Sequence, residues 1–286
     1  MAFNLRDIDE TQAPLLDHLI ELRTRLVKCV AALGVAFVVC MYFARDIFGI
    51  LVRPLTDAFP AGEGRLVYTK LYEAFFVEIK VALFAAFMVA FPIIANQLWA
   101  FVAPGLYAKE KKAFLPFILA TPVLFMAGAG LAYFVVMPTA FKWFLGFQGV
   151  TGGIQQEALP AMGDYLDLVM RFILAFGISF LLPVLLLLLN RAGLVTRAQF
   201  AAGRRYVIVG VFVIAAVVTP PDVFSQIVLA IPLLLLFEGS LLIMRLSEKK
   251  AAKLAEAEAA AADDTGTAIV PSDGAAGPET AETKSV

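Results

Sequence analysis

Histidine is almost absent from this 286-residue chain, His18 being the only one. A serine or cysteine nucleophile in its apolar segments would have no imidazole base, and no histidine-rich metal cluster can form. Cysteine is equally scarce: Cys29 and Cys40 lie in one apolar run, eleven residues apart. On one rigid helix they are too distant to bridge, which excludes a disulfide scaffold. Charge is low, at 16% of residues, where soluble domains carry about 25%. Glycine-rich phosphate loops are missing, and no internal repeat is visible, which counts against inverted-repeat transporters. Asp164 and Asp167 are too close in sequence, near a helix end, to form an aspartyl dyad without a carboxylate from another span. No catalytic residue, metal or cofactor is expected.

What the chain has is apolar length. Hydrophobic residues make up 61%, including 25 Phe, and the charge-free runs approach the roughly 20 residues a bilayer-spanning helix needs. The reading is an all-α membrane domain over 1–245, with six transmembrane helices near 24–44, 72–102, 113–138, 164–190, 205–219 and 224–244. The first follows an acidic leader without a convincing cleavage site, so a retained helix is expected rather than a signal peptide. The fifth charge-free run has only thirteen residues before Thr219-Pro220-Pro221. The last two helices are therefore expected to be short spans that thin the bilayer locally, rather than a re-entrant hairpin.

Basic residues set the orientation. Sixteen Lys and Arg fall on the side of the termini and five on the other, while Lys80 and Arg171 lie within spans near the outer end. This places both termini of a multi-pass membrane protein in the cytoplasm. Residues 246–286 hold four basic and eight acidic residues. That acidic tail can continue a helix to about Ala262 and is expected to be largely disordered and dispensable beyond it. Among the outer loops, 45–71 has apolar residues at helical spacing, and the glycine-rich stretch 145–163 reads as a cap or link.

The informative polar residues sit at the cytoplasmic surface. Glu21 lies on an amphipathic turn whose stripe is Leu15, Leu19, Leu22 and Leu26, and its plainest role is an i,i+4 pair with Arg25. Glu110 is the one carboxylate in Lys109-Glu110-Lys111-Lys112, which on spacing alone is a positive-inside loop. Asp222 can cap the last helix, and Pro220-Pro221 can simply break the chain into a tight turn. Trp99 and Phe101 can be interfacial aromatics. Glu238, inside an apolar run, is costly in lipid and should face protein or a wet groove.

Four strings go further: His18-Leu19-Ile20-Glu21-Leu22-Arg23, Trp99 to Tyr107 (WAFVAPGLY), Ala132 to Pro138 (AYFVVMP) and Thr219 to Gln226 (TPPDVFSQ). In matching order over about 14–245, they closely resemble the TatC family, the large polytopic subunit of the twin-arginine protein translocase. The resemblance implies a concave, glove-like bundle of six helices. It also implies a receptor and assembly platform that binds twin-arginine signal peptides of folded precursors and exports them using the proton motive force. Glu21 and Glu110 match the family's signal-binding carboxylates, and Arg23 and Phe101 match other sensitive positions in that region. Pro54 and Asp222 match further sensitive positions, Pro220-Pro221 shapes the concave face, and Glu238 is a candidate contact for a partner's helix.

The partners implied are small single-span Tat subunits of the TatA and TatB type, a second copy of the chain and the lipid bilayer, with no nucleic acid. Chemistry agrees: carboxylates accept the guanidinium fork in two parallel hydrogen bonds, which lysine cannot reproduce. One departure stands out. Many relatives carry Glu or Gln where this chain has Leu181, so a polar contact with a partner helix cannot form there. Two other functions compete with the receptor. A secondary transporter requires paired mid-membrane charges and repeat symmetry, and a structural scaffold requires that Glu21 and Glu110 be silent.

Overall fold

Long apolar runs give long helices, and proline bends the pattern more often than it ends it. The computed structural model describes residues 6–59, 64–106, 111–219 and 222–266. In chain order the helices begin with α1 (Arg6–Tyr42), α2 (Ala44–Thr56), α3 (Glu73–Leu106) and α4 (Lys111–Leu131). A π-helical turn, Ala132–Val136, leads into α5 (Met137–Leu145). A two-strand hairpin follows, β1 (Gly149–Thr151) antiparallel to β2 (Ile154–Gln156). Then come α6 (Met162–Ser179), α7 (Leu182–Arg191), α8 (Arg197–Ala202), α9 (Arg204–Val218) and α10 (Val223–Gly266). The chain divides into two compact units at Leu241/Leu242.

Among the described residues, five helical stretches are long and apolar enough to cross a membrane: His18–Tyr42, Glu73–Phe101, Phe117–Leu145, Met162–Arg191 and Val223–Leu254. At 1.5 Å per residue the fifteen residues of α9 rise about 22 Å, short of a hydrocarbon core of about 30 Å. Two expected boundaries need correction. The helix expected to stop at Pro138 continues to Leu145, because the π turn just before it absorbs the missing amide. The helix expected over 164–190 is broken at Phe180–Leu181, ahead of Pro183, whose ring disfavours helix in the preceding turn. The last span, expected over 224–244, and the helical extension expected to about Ala262 form one helix: α10 has 44 residues and ends at Gly266, since the Ala, Glu and Lys after Arg245 are strong helix formers. The disorder expected of the tail from 267 onward lies outside the described residues.

Between lipid-embedded helices there is little hydrophobic driving force, so small residues that admit close approach govern packing. On α3, Ala82 and Ala86 are fully buried one turn apart and meet Cys40 of α1 and Ala44 of α2, with Phe37 packed alongside. Between α4 and α6 the fit is reciprocal. A Cβ on Gly128 would lie 2.5 Å from the Phe176 carbonyl oxygen, and one on Gly177 would lie 2.6 Å from the Phe125 ring. Phe125 is itself stacked on Phe91 with centroids 3.6 Å apart.

On the same side as the hairpin, the segment after α2 is stitched to the start of α6. Val67 N–H donates to Pro160 O at 3.2 Å, and Met162 N–H donates to Val67 O at 2.8 Å. Glu73, the first residue of α3, accepts from the amides of Thr69 (2.9 Å), Lys70 (3.3 Å) and Gly163 (2.8 Å). One carboxylate thus pins the turn leading into its own helix and satisfies a first-turn amide of α6. The hairpin turns at Gly152 and Gly153, whose φ values of +62° and +83° suit a two-residue turn that side chains resist.

Candidate functional site

The first candidate carboxylate is carried by α1. Arg25 Nε donates to Glu21 Oε1 at 3.0 Å, so the i,i+4 pair exists. The second oxygen, Oε2, lies 4.0 Å from His18 Nδ1, beyond hydrogen-bond reach, and has no other partner among the described residues. The Glu21 side chain is 35% exposed. Arg23 points outward and is exposed. Leu19, Leu22 and Leu26, the expected apolar stripe, are exposed as well, so this face of α1 is uncovered in the single chain.

His18 stacks on Phe101 near the end of α3, with centroids 4.3 Å apart and planes 17° from parallel. The stack ties the start of the membrane part of α1 to the segment that leads toward Glu110. Two residues earlier, Trp99 Nε1 donates to Thr121 Oγ1 of α4 at 2.6 Å, and that hydroxyl donates to Phe117 O at 2.7 Å. The end of α3 is therefore fixed against both α1 and α4. Glu110 lies outside the described residues, so the structure places one of the two carboxylates.

The remaining candidates lie elsewhere. Asp222 Oδ1 accepts from Ser225 N–H at 2.7 Å, an N-cap on α10. Its Oδ2 and Ser225 Oγ are buried without a hydrogen-bond partner among the described residues. Phe224 stacks on Trp143 at the end of α5 with centroids 4.9 Å apart. Pro220 and Pro221 lie outside the described residues. Glu238 is half exposed and accepts from Arg204 Nη2 of α9 at 2.9 Å, so its charge is met across helices. Leu181, at the break between α6 and α7, packs with the cluster of Phe91, Ala95 and Phe125, an apolar setting for the residue that departs from the family pattern.

Pro54 sits inside α2, where its missing amide releases the carbonyl of Ile50. Tyr133 of the π turn fills that vacancy, its hydroxyl donating to Ile50 O at 2.6 Å. Tyr165 of α6 donates to Leu51 O at 2.9 Å. Sequence reasoning found Pro54 but neither tyrosine. The i−4 rule gives the orphaned carbonyl, yet nothing in the linear pattern says which distant hydroxyl reaches it. Lys80 and Asp167, read as separate span-end charges, form a cross-helix pair at 3.0 Å. Among the described residues no cluster of three or more metal-ligating side chains occurs.

Residues 17–232 match the family model described as Sec-independent protein translocase protein (TatC). The chain is 49% identical over 251 residues to the protein of that name from Magnetococcus marinus, covering 88% of this chain and 91% of the relative. It is 40% identical over 231 residues to that from Escherichia coli, covering 81% and 87%. A crystal structure described as the twin-arginine translocase receptor TatC superposes with a TM-score of 0.71 at 40% identity, covering 81% of this chain and 99% of that one. Together with the apolar helices, these matches identify a multi-pass membrane protein that is a subunit of a protein-transport complex and not an enzyme. The chain belongs to the TatC family of Sec-independent protein translocase proteins.

Proposed function

We propose that this chain is the receptor for twin-arginine signal peptides and the assembly platform of the Tat translocase in the cytoplasmic membrane. Six helices would cross the bilayer, α9 as a short span, with both termini in the cytoplasm and a glove-like concavity. Small single-span subunits would join it, and folded precursors would pass under the proton motive force. The observation that carries the reading is the half-used carboxylate of Glu21. One oxygen is engaged by Arg25, while the other is open to an incoming guanidinium beside the His18–Phe101 stack. In this reading Glu110 supplies the second carboxylate, so that each arginine of the pair meets its own acceptor. Charge-assisted forks of this kind discriminate against lysine by geometry.

The test is photo-crosslinking in inverted membrane vesicles, with an Arg-Arg and a Lys-Lys version of one signal peptide. Labelling of the parent should fall by about tenfold or more with the Lys-Lys peptide and with Glu21→Ala or Glu110→Ala, the loss typical of removing one partner of a close charge pair. His18→Ala should loosen the α1–α3 junction and weaken labelling by a smaller factor. Labelling that ignores both the arginine pair and the two glutamates would overturn the receptor reading.

A further inference from the structure

Two cations and one carboxylate meet where α3 faces α6. Lys80 Nζ lies 3.0 and 3.1 Å from the two carboxylate oxygens of Asp167. One turn further along α6, Arg171 is exposed and pairs with no carboxylate among the described residues. The three charges leave a net excess of one positive. They line a groove of about 530 Å³ whose other walls are apolar, with Leu33 from α1, Leu83 and Phe87 from α3, and Leu174 from α6.

The register of the two helices makes this groove amphiphilic. Glu73 holds the amide of Gly163, so α3 and α6 begin at the same end and run in the same direction. From Lys80 to Phe87, and from Asp167 to Leu174, each helix rises about 10 Å. The charges therefore stand at one end and the apolar wall extends from them deeper into the span. An uncompensated arginine among membrane-crossing helices is costly, and an anionic group beside it removes that cost.

We propose that this groove binds an anionic phospholipid, with its phosphodiester at Arg171 and Lys80 and one acyl chain along Leu83, Phe87 and Leu174. The net positive charge selects an anionic headgroup over a zwitterionic one, whose own cation would face Arg171. A partner helix, about 10 Å across with its side chains, needs a broader face than a groove of this volume. The inference rests on the membrane embedding of the chain and not on the signal-peptide reading.

The experiment is native mass spectrometry of the full chain released from detergent, titrated with dioleoyl phosphatidylglycerol or dioleoyl phosphatidylcholine. Phosphatidylglycerol should be retained preferentially. Arg171→Gln and Lys80→Gln should each lower its affinity about fivefold, the effect expected per basic residue near an anionic headgroup. Asp167→Asn should raise it, which separates charge selection from damage to the fold, and circular dichroism should show parental helicity in every variant. Inorganic phosphate should not compete. Equal retention of the two lipids, phosphatidylglycerol binding untouched by Arg171→Gln, or competition by phosphate alone would each overturn the proposal. So would a photoreactive residue in place of Leu174 that crosslinks to a second membrane protein instead of lipid, which would give the groove to a partner helix.

Discussion

Pro54 takes an amide away from α2, and Tyr133 supplies the hydroxyl that replaces it at Ile50 O. This pairing predicts a coupling. Tyr133→Phe should destabilise the protein by about 0.5–1.5 kcal/mol, because the Ile50 carbonyl then has no donor. In a Pro54→Ala background the restored helical amide should serve that carbonyl, and the same tyrosine change should cost clearly less. A double-mutant cycle on unfolding in mixed micelles reads the difference, and equal costs in both backgrounds would refute the link. Part of this was visible beforehand: a proline at helical spacing names its orphaned acceptor. Tyr133 could not be named, because it lies 83 residues away and reaches Ile50 only through the tertiary arrangement. Glu21 shows the same divide. Its pair with Arg25 follows from i,i+4 spacing, whereas the His18–Phe101 stack beside it joins two helices and left no trace in local pattern.

At the level of helices, the contact of α4 with α6 depends on two glycines that interlock. Gly128→Ala should cost about 1–3 kcal/mol, the usual penalty for overpacking, since its Cβ would strike a backbone carbonyl that cannot rotate away. Gly210→Ala and Gly239→Ala serve as controls, having no atom within 4 Å of the added Cβ. They should be neutral or stabilising by about 0.5–1 kcal/mol through helix propensity. Thermal unfolding in detergent distinguishes the two classes. The existence of the long apolar helices was legible from charge-free length, and α3, α9 and α10 start at Glu73, Arg204 and Val223. Their ends were less so, because proline has more than one outcome. Pro138 is absorbed by a π turn, Pro232 stays within α10, and Pro183 opens a new helix after a break. Which outcome occurs depends on neighbouring helices, not on the proline.

For the molecule as a whole, the excess of basic residues on one side predicts where reporters will be active. Green fluorescent protein fused after Val286 should fluoresce, and alkaline phosphatase inserted at Gly152 should be active, since only the latter needs the outer compartment. Inactive phosphatase at Gly152 would reverse the orientation. Truncation after Gly266 should leave signal-peptide labelling within about twofold, since the sequence of 267–286 has few large apolar residues. Glu73 adds a consequence concerning time. Its carboxylate draws on the amides of Thr69 and Lys70 at once, but Gly163 lies 90 residues downstream. At roughly 5–20 residues per second, the ribosome needs on the order of 5–20 s to deliver it. Throughout that interval Val67 also lacks Pro160 and Met162. The link between the segment after α2 and the start of α6 is thus left open during synthesis, and it closes only once α6 emerges.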